Sequence, residues 1–164
     1  MTTQPERALV LMFRAGGERA AIRAADVQKV TSVGHVSRLP RLPGVISGIS
    51  QHRGRVVTVV DAAALLFSAA PTLPPSASSS LEPSSSSDAQ HARLLILERP
   101  VRHLALLVDA VDEIELVRLA PDLPQAGLPC LKVTQHKGKA LQVLDVERLM
   151  DVVELHMLNG TRAR

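Results

Sequence analysis

The chain has 164 residues and a formal net charge of +3, and Leu, Val and Ile fill 48 positions against two Phe and no Tyr or Trp. A chain of this length and aliphatic content buries roughly 70% of its unfolded surface, which excludes disorder of the whole. The 19 Lys and Arg are scattered singly with no aromatic stacking platform, which argues against a nucleic-acid partner, and the lone Cys130 excludes an internal disulfide or a thiolate metal site and fits a reducing compartment.

The first apolar run, Ala8 to Phe13, is six residues long, and within it Leu9 to Phe13 reads as a buried strand. Gly16-Gly17 supplies the positive φ of a tight hairpin into a second strand. Leu39-Pro40-Arg41-Leu42-Pro43-Gly44 reads as a turn into the next strand, in preference to a P-x-x-P ligand for an SH3 domain. Arg53-Gly54-Arg55 reads as an exposed hairpin tip followed by the β-branched run Val56 to Val60. Asp61 then stands where the N-cap of a short helix belongs.

Residues 68–92 contain nine Ser, five Ala and four Pro, a composition that cannot bury enough apolar surface to order itself, and they are expected to be a flexible linker. Beyond it Leu94 to Leu97 reads as a buried strand, Gly138 marks a second hairpin tip, and Asp145 caps a longer helix whose stripe is Val146, Leu149, Met150, Val153 and Met157. The longest apolar runs span six residues, far below the roughly 18 that cross a bilayer and too short for a signal-peptide core, so a cytosolic protein without membrane insertion is expected.

The two sides of the linker repeat each other. Gln51 to Leu66 (QHRGRVVTVVDAAALL) matches Gln135 to Met150 (QHKGKALQVLDVERLM) with six identities over 16 positions at an offset of 84. The same offset aligns Ile22 with Leu106, Val27 with Val111 and Val30 with Ile114. Segments 8–67 and 93–158 are therefore read as one β-rich unit used twice, sharing apolar surface because each is small for independent stability.

Enzyme signatures are missing: there is no GxGxxG, no Walker loop and no GxSxG, and Gly44 to Gly48 places its serine one position late for a nucleophile elbow. His52 and His136 occupy matching repeat positions, but a zinc site built from them and Cys130 is disfavoured against solvated turn histidines. Capping explains Asp61 and Asp145 better than acid-base chemistry does, and Asp112, Glu113 and Glu115 read as a solvated edge. No catalytic residue, cofactor or metal is expected.

The pattern LP-x-x-PG-x-x-x-G-x-x-x-x-RGR-x-V-x-VVD, from Leu39 to Asp61, resembles the CheW-like family of bacterial chemosensory adaptors. The resemblance runs over about residues 8 to 158 and includes Val27-Gln28-Lys29-Val30 and the run Leu104 to Ile114. It implies a mainly β fold of two small five-stranded, SH3-like barrel subdomains packed together, with short helices and a C-terminal helix. It also implies a non-enzymatic scaffold that couples methyl-accepting chemoreceptors to the regulatory domain of a CheA-type histidine kinase. The partner-binding positions it implies are Arg53 and Gly54 at the receptor-coupling tip, Gly48, the apolar contacts Val27, Val30, Val111 and Ile114, and Lys29 and Val36 near the kinase contact. Lys29 stands where the family often carries an acid, Gln51-His52 where it often has Asn-Leu, and Ala20 where an aromatic is common. A second reading is therefore an interaction module on the same fold that has lost kinase coupling, and it serves to cap the array or link it to another pathway.

Overall fold

The computed structural model describes residues 6–67, 92–97, 103–119 and 131–162. All of the Ser/Pro/Ala-rich 68–92 segment except its last residue lies outside the described residues, as do His91 and Cys130. The elements, in chain order, are β1 (Glu6–Ala15), β2 (Glu18–Arg23), β3 (Val27–Ser32), β4 (Ile46–His52), β5 (Arg55–Asp61), α1 (Ala62–Phe67), β6 (Arg93–Leu97), β7 (Leu104–Val108), β8 (Ala110–Leu119), β9 (Leu131–His136), β10 (Lys139–Leu144) and α2 (Val146–Arg162). One 3-10 turn, Ala24–Asp26, joins β2 to β3.

The strands make two five-stranded sheets: lobe one in the order β3-β6-β7-β5-β4, and lobe two in the order β8-β1-β2-β10-β9. Neither lobe is one half of the chain. Each half lends its first hairpin to the other, so that β6 and β7 sit between β3 and β5 while β1 and β2 sit between β8 and β10. The exchange keeps the repeat's register. In lobe one Thr58 pairs with Leu104 and Val60 with Leu106; in lobe two their counterparts 84 residues away, Gln142 with Ala20 and Leu144 with Ile22, pair in the same parallel manner. The 68–92 segment thus separates the two repeats without separating the two lobes.

This exchange explains why the lent strands read as unbroken apolar runs. A strand in a sheet packed on both faces has no solvent side to alternate toward. Val10, Leu11, Met12 and Phe13 are all buried. Leu11 and Phe13 join Leu95, Leu97, Leu106 and Leu149 in a core between the lobes, while Val10 and Met12 turn to the interior of lobe two with Val117 and Leu141. The interior of lobe one is Val57, Val59, Leu94, Ile96 and Ala105. Each fully buried Leu or Phe contributes roughly 1.5–3 kcal/mol from burial. Phe13 stands directly across from Ala20, a large side chain beside a small one, at the point where the repeat's hairpin carries little bulk of its own.

The expected turns and caps form. Gly16 and Gly17, at φ 59° and 81°, close the β1-β2 hairpin, and Arg41 takes φ 63° in the Leu39–Gly44 turn. The Asp61 Oδ1 accepts the Ala64 N–H at 3.2 Å, and the Asp145 Oδ1 accepts those of Glu147 and Arg148 at 3.1 and 3.3 Å. Two apolar residues depart from their expected burial. Leu9, placed in the buried strand, is 56% exposed, because the shared core ends at Leu11. Met157, placed on the buried helix stripe, is 40% exposed: the stripe holds through Val146, Leu149 and Val153, and the last turns of α2 extend past the core.

Candidate partner-binding site

The Arg53-Gly54 tip is a two-residue loop between His52 and Arg55, which face each other across β4 and β5. Both tip residues are left-handed, Arg53 at φ 49° and Gly54 at φ 77°. A Cβ on Gly54 would meet nothing within 4 Å, so the glycine serves backbone conformation and leaves the tip open. The second repeat builds the same loop, with Lys137 at φ 51° and Gly138 at φ 76° between His136 and Lys139.

The surroundings of the two tips differ. In lobe two, Lys137 Nζ reaches Glu115 Oε2 at 2.8 Å and His136 Nε2 reaches the same oxygen at 2.5 Å. The Glu115 carboxyl falls from its ordinary 4.5 to about 2, chiefly through the Lys137 hydrogen bond and then that of His136, with burial pulling the other way. Lys137 is raised in turn by the hydrogen bond to Glu115. His136 was expected to be a solvated turn residue; instead it is held, together with Lys137, against an acid on β8. Asp112 and Glu113, read as a solvated edge, also lie in ion pairs, with Arg14 at 3.2 Å and with Arg19 at 3.5 and 3.9 Å.

In lobe one the position of Glu115 is taken by Thr31. The register proves the equivalence: Thr31 pairs with Leu94 as Glu115 pairs with Val10, again at an offset of 84. Neither the His52 nor the Arg53 side chain has an ion-pair or hydrogen-bond partner among the described residues. A second fastening is common to both lobes. Thr134 Oγ1 on β9 donates to the Arg118 carbonyl on β8 at 2.7 Å, and Ser50 Oγ on β4 donates to the His35 carbonyl at 2.9 Å. Lobe two carries the Glu115 clamp as well as this contact, whereas lobe one lacks the clamp and instead has the Ser37–Ile49 backbone pair beside the Ser50 contact. A cleft of about 740 Å³ lies there, lined by Thr31, His35, Ser50 and His52 over a floor that includes Val57 and Ile96.

The remaining positions fall into three groups. Gly48 is buried at φ 148°, and a Cβ there would lie 2.3 Å from the Ser37 carbonyl oxygen, so the glycine seats the 33–38 segment on β4 through the reciprocal Ser37–Ile49 hydrogen bonds of 2.8 and 2.9 Å. Val36 packs beside it against the interior of lobe one. Val27 and Val111 are half-buried against the shared core, whereas Val30 and Ile114 are exposed. Lys29 is exposed on β3 where the register shifts between Val27 and Lys29, and Glu113 lies in the matching irregular stretch of β8 between Val111 and Ile114. Such bulges re-aim side chains at a sheet edge. The structure therefore sets the Arg53-Gly54 tip directly after His52, which lines the cleft, and leaves the Val27–Val30 and Val111–Ile114 strands as separate edges on different lobes.

Sequence reasoning missed Thr31, His35 and Glu115 as parts of one comparison, although the signal was present: extending the repeat alignment upstream sets Thr31 against Glu115. It also missed the exposed cross-strand pair Leu9 and Leu116, which adjoins Ile114 on lobe two. Among the described residues no three metal-type side chains converge, and no helix is long and apolar enough to cross a membrane.

The family model of the CheW-like domain matches residues 9–154. Among solved structures, the scaffolding protein TtCheW from Thermoanaerobacter tengcongensis superposes with a TM-score of 0.65 at 18% sequence identity, covering 88% of each chain. No curated protein matches the chain.

Proposed function

The chain belongs to the CheW-like domain family, and on that premise we propose that it is a non-enzymatic scaffold of a bacterial chemosensory system. In this reading it joins the cytoplasmic tip of methyl-accepting chemoreceptors to the regulatory domain of a CheA-type histidine kinase, in the cytoplasm and recruited to receptor arrays. One observation supports it most: Arg53 is held in a left-handed tip with no acid to meet among the described residues, while its repeat counterpart Lys137 is engaged by Glu115. A guanidinium on a rigid two-residue loop offers several directed donors to a carboxylate or a helix-end carbonyl of a partner. Val27 and Val30 in lobe one, and Val111 and Ile114 in lobe two, would supply apolar edge contacts to the two partners. Gly48 and Val36 would act by fixing the loop that borders them.

The test is capture of an isolated receptor cytoplasmic domain by the intact chain and by Arg53→Ala. The variant should melt as the parent does and retain markedly less receptor. Equal retention would remove Arg53 from the proposed contact.

Lys29 favours a second reading. It is an exposed cation on the β3 edge where the family resemblance calls for an acid, and a kinase surface matched to a carboxylate repels it. On this reading the chain binds receptors without kinase coupling. Mixing it with an isolated kinase regulatory domain at micromolar concentration separates the two: a complex supports the coupler, and its absence together with receptor binding supports the uncoupled module.

A further inference from the structure

We propose that the cleft of lobe one is a docking site for an extended acidic peptide segment of a partner, and that it takes a carboxylate in the place that Glu115 fills in lobe two. The inference deepens, and rests on, the reading of Arg53 as a partner-facing cation. The molecule carries its own template for the ligand. Both lobes place a histidine and a cation at the end of the same hairpin, His52-Arg53 and His136-Lys137, at the same register. Among the described residues only lobe two supplies the acid that such a pair receives. At the matching point lobe one has Thr31, which is too short and uncharged, and Thr31 and His52 both line the open cleft.

Charge points the same way. Residues 27–60 contain five Lys and Arg and no Asp or Glu, whereas the matching stretch 111–144 contains four of each. Among the described residues Lys29, Arg38, Arg53 and Arg55 make no ion pair, while in lobe two Glu6, Asp112, Glu113, Glu115 and Asp145 all do. Positive charge left unpaired on one lobe of a chain with net charge +3 selects an acidic partner and speeds its encounter. The shape favours an extended segment over a helix: the cleft lies between the edges β3 and β4, and while Ser37 already pairs with Ile49 on β4, the outer side of β3 can give a strand-like peptide main-chain hydrogen bonds as its alternate side chains meet the Val57 and Ile96 floor. A single-stranded nucleic acid is the poorer fit, since the chain has no Tyr or Trp and its two Phe are at position 13, fully buried, and position 67 on α1.

The experiment titrates the full chain with a fluorescein-labelled heptapeptide of alternating Glu and Val, with the same peptide carrying Gln for Glu, and with a dT oligonucleotide of similar length. The Glu peptide should bind one site per chain about tenfold or more tighter than the Gln peptide, as expected for charge-assisted hydrogen bonds. Thr31→Glu transplants the lobe-two acid, so it should melt no lower than the parent and lose the peptide. His52→Ala combined with Arg53→Ala should lose it as well, and decides the matter if Thr31→Glu does not fold. Equal binding of the Glu and Gln peptides, undiminished binding by both variants, or an oligonucleotide that displaces the Glu peptide at equal concentration would overturn the proposal. A chain that captures receptor yet ignores the Glu peptide sinks this inference alone. A chain that binds the peptide yet captures neither receptor nor kinase sinks the functional reading alone.

Discussion

Replacing Arg53 by Asn separates what the tip costs from what it is for. The His52–Arg55 connection is a two-residue loop with both central residues at positive φ, the type I′ geometry in which Asn-Gly is the favoured pair. A residue with an ordinary Cβ in the left-handed region costs roughly 1–2 kcal/mol, a penalty that Asn relieves in part by bonding its own backbone. Arg53, at φ 49°, recovers none of this through an ion pair with the described residues. Arg53→Asn should therefore stabilise the chain by about 0.5–1 kcal/mol. For a protein of this size that is an upward shift in Tm of about 1–4 °C, while receptor capture falls. Lys137→Asn is the internal control. It relieves the same backbone at φ 51° but severs the 2.8 Å contact with Glu115, so its gain in Tm should be smaller. Calorimetric melts of the parent and both variants decide it. If Arg53→Asn melts below the parent, or gains no more than Lys137→Asn, then the lobe-one tip is not a strained element awaiting an external partner.

Gly48→Ala would set a methyl carbon 2.3 Å from the Ser37 carbonyl oxygen at φ 148°, so the 33–38 segment must lift off β4. Urea unfolding should show a loss of about 1–3 kcal/mol, and amide exchange should quicken at Ser37 and Ile49; an unchanged midpoint would mean the segment is not seated there. Glu115→Gln tests the lobe-two clamp through pH. The folded carboxyl lies at about 2, below its ordinary 4.5, so its stabilisation is complete above about pH 4.5 and is lost as pH falls toward 2. The gap in urea midpoint between parent and Glu115→Gln should close across that interval, and a gap that stays constant would deny the Lys137–Glu115 contact its assigned part.

Much of this was legible because local chemistry and global fold agree. Asp61 and Asp145 cap helices, the Gly-containing tips turn, and the aliphatic runs became strands buried on two faces. Strand exchange was not legible, since a lent hairpin and a retained one need the same apolar residues; only the pairing partners differ, and composition carries no record of them. The fate of the apolar ends was lost for a related reason. Leu9 and Met157 satisfy the periodicity of buried positions, yet burial there depends on how far a neighbouring element extends. The asymmetry at the site was hidden differently. Thr31 and Glu115 are unremarkable alone, and become informative once the registers Thr31–Leu94 and Val10–Glu115 show that they occupy one place in two copies.

That equivalence also bears on why a duplicated fold suits an adaptor. Two copies of one backbone offer two edges and two hairpin tips on lobes that share one hydrophobic core. If both tips were satisfied internally, the molecule would present two inert lobes; if both were open, it would offer nearly equivalent sites and bind partners without distinguishing them. Under the proposed docking role, closing one with Glu115 and leaving the other with Thr31 would convert a near-symmetric scaffold into a directional one. The change costs little in the fold, since Thr31 and Glu115 both lie on edge strands outside the three cores. Directionality of this kind requires no moving part, because the difference between the lobes lies in side-chain charge on matched backbones.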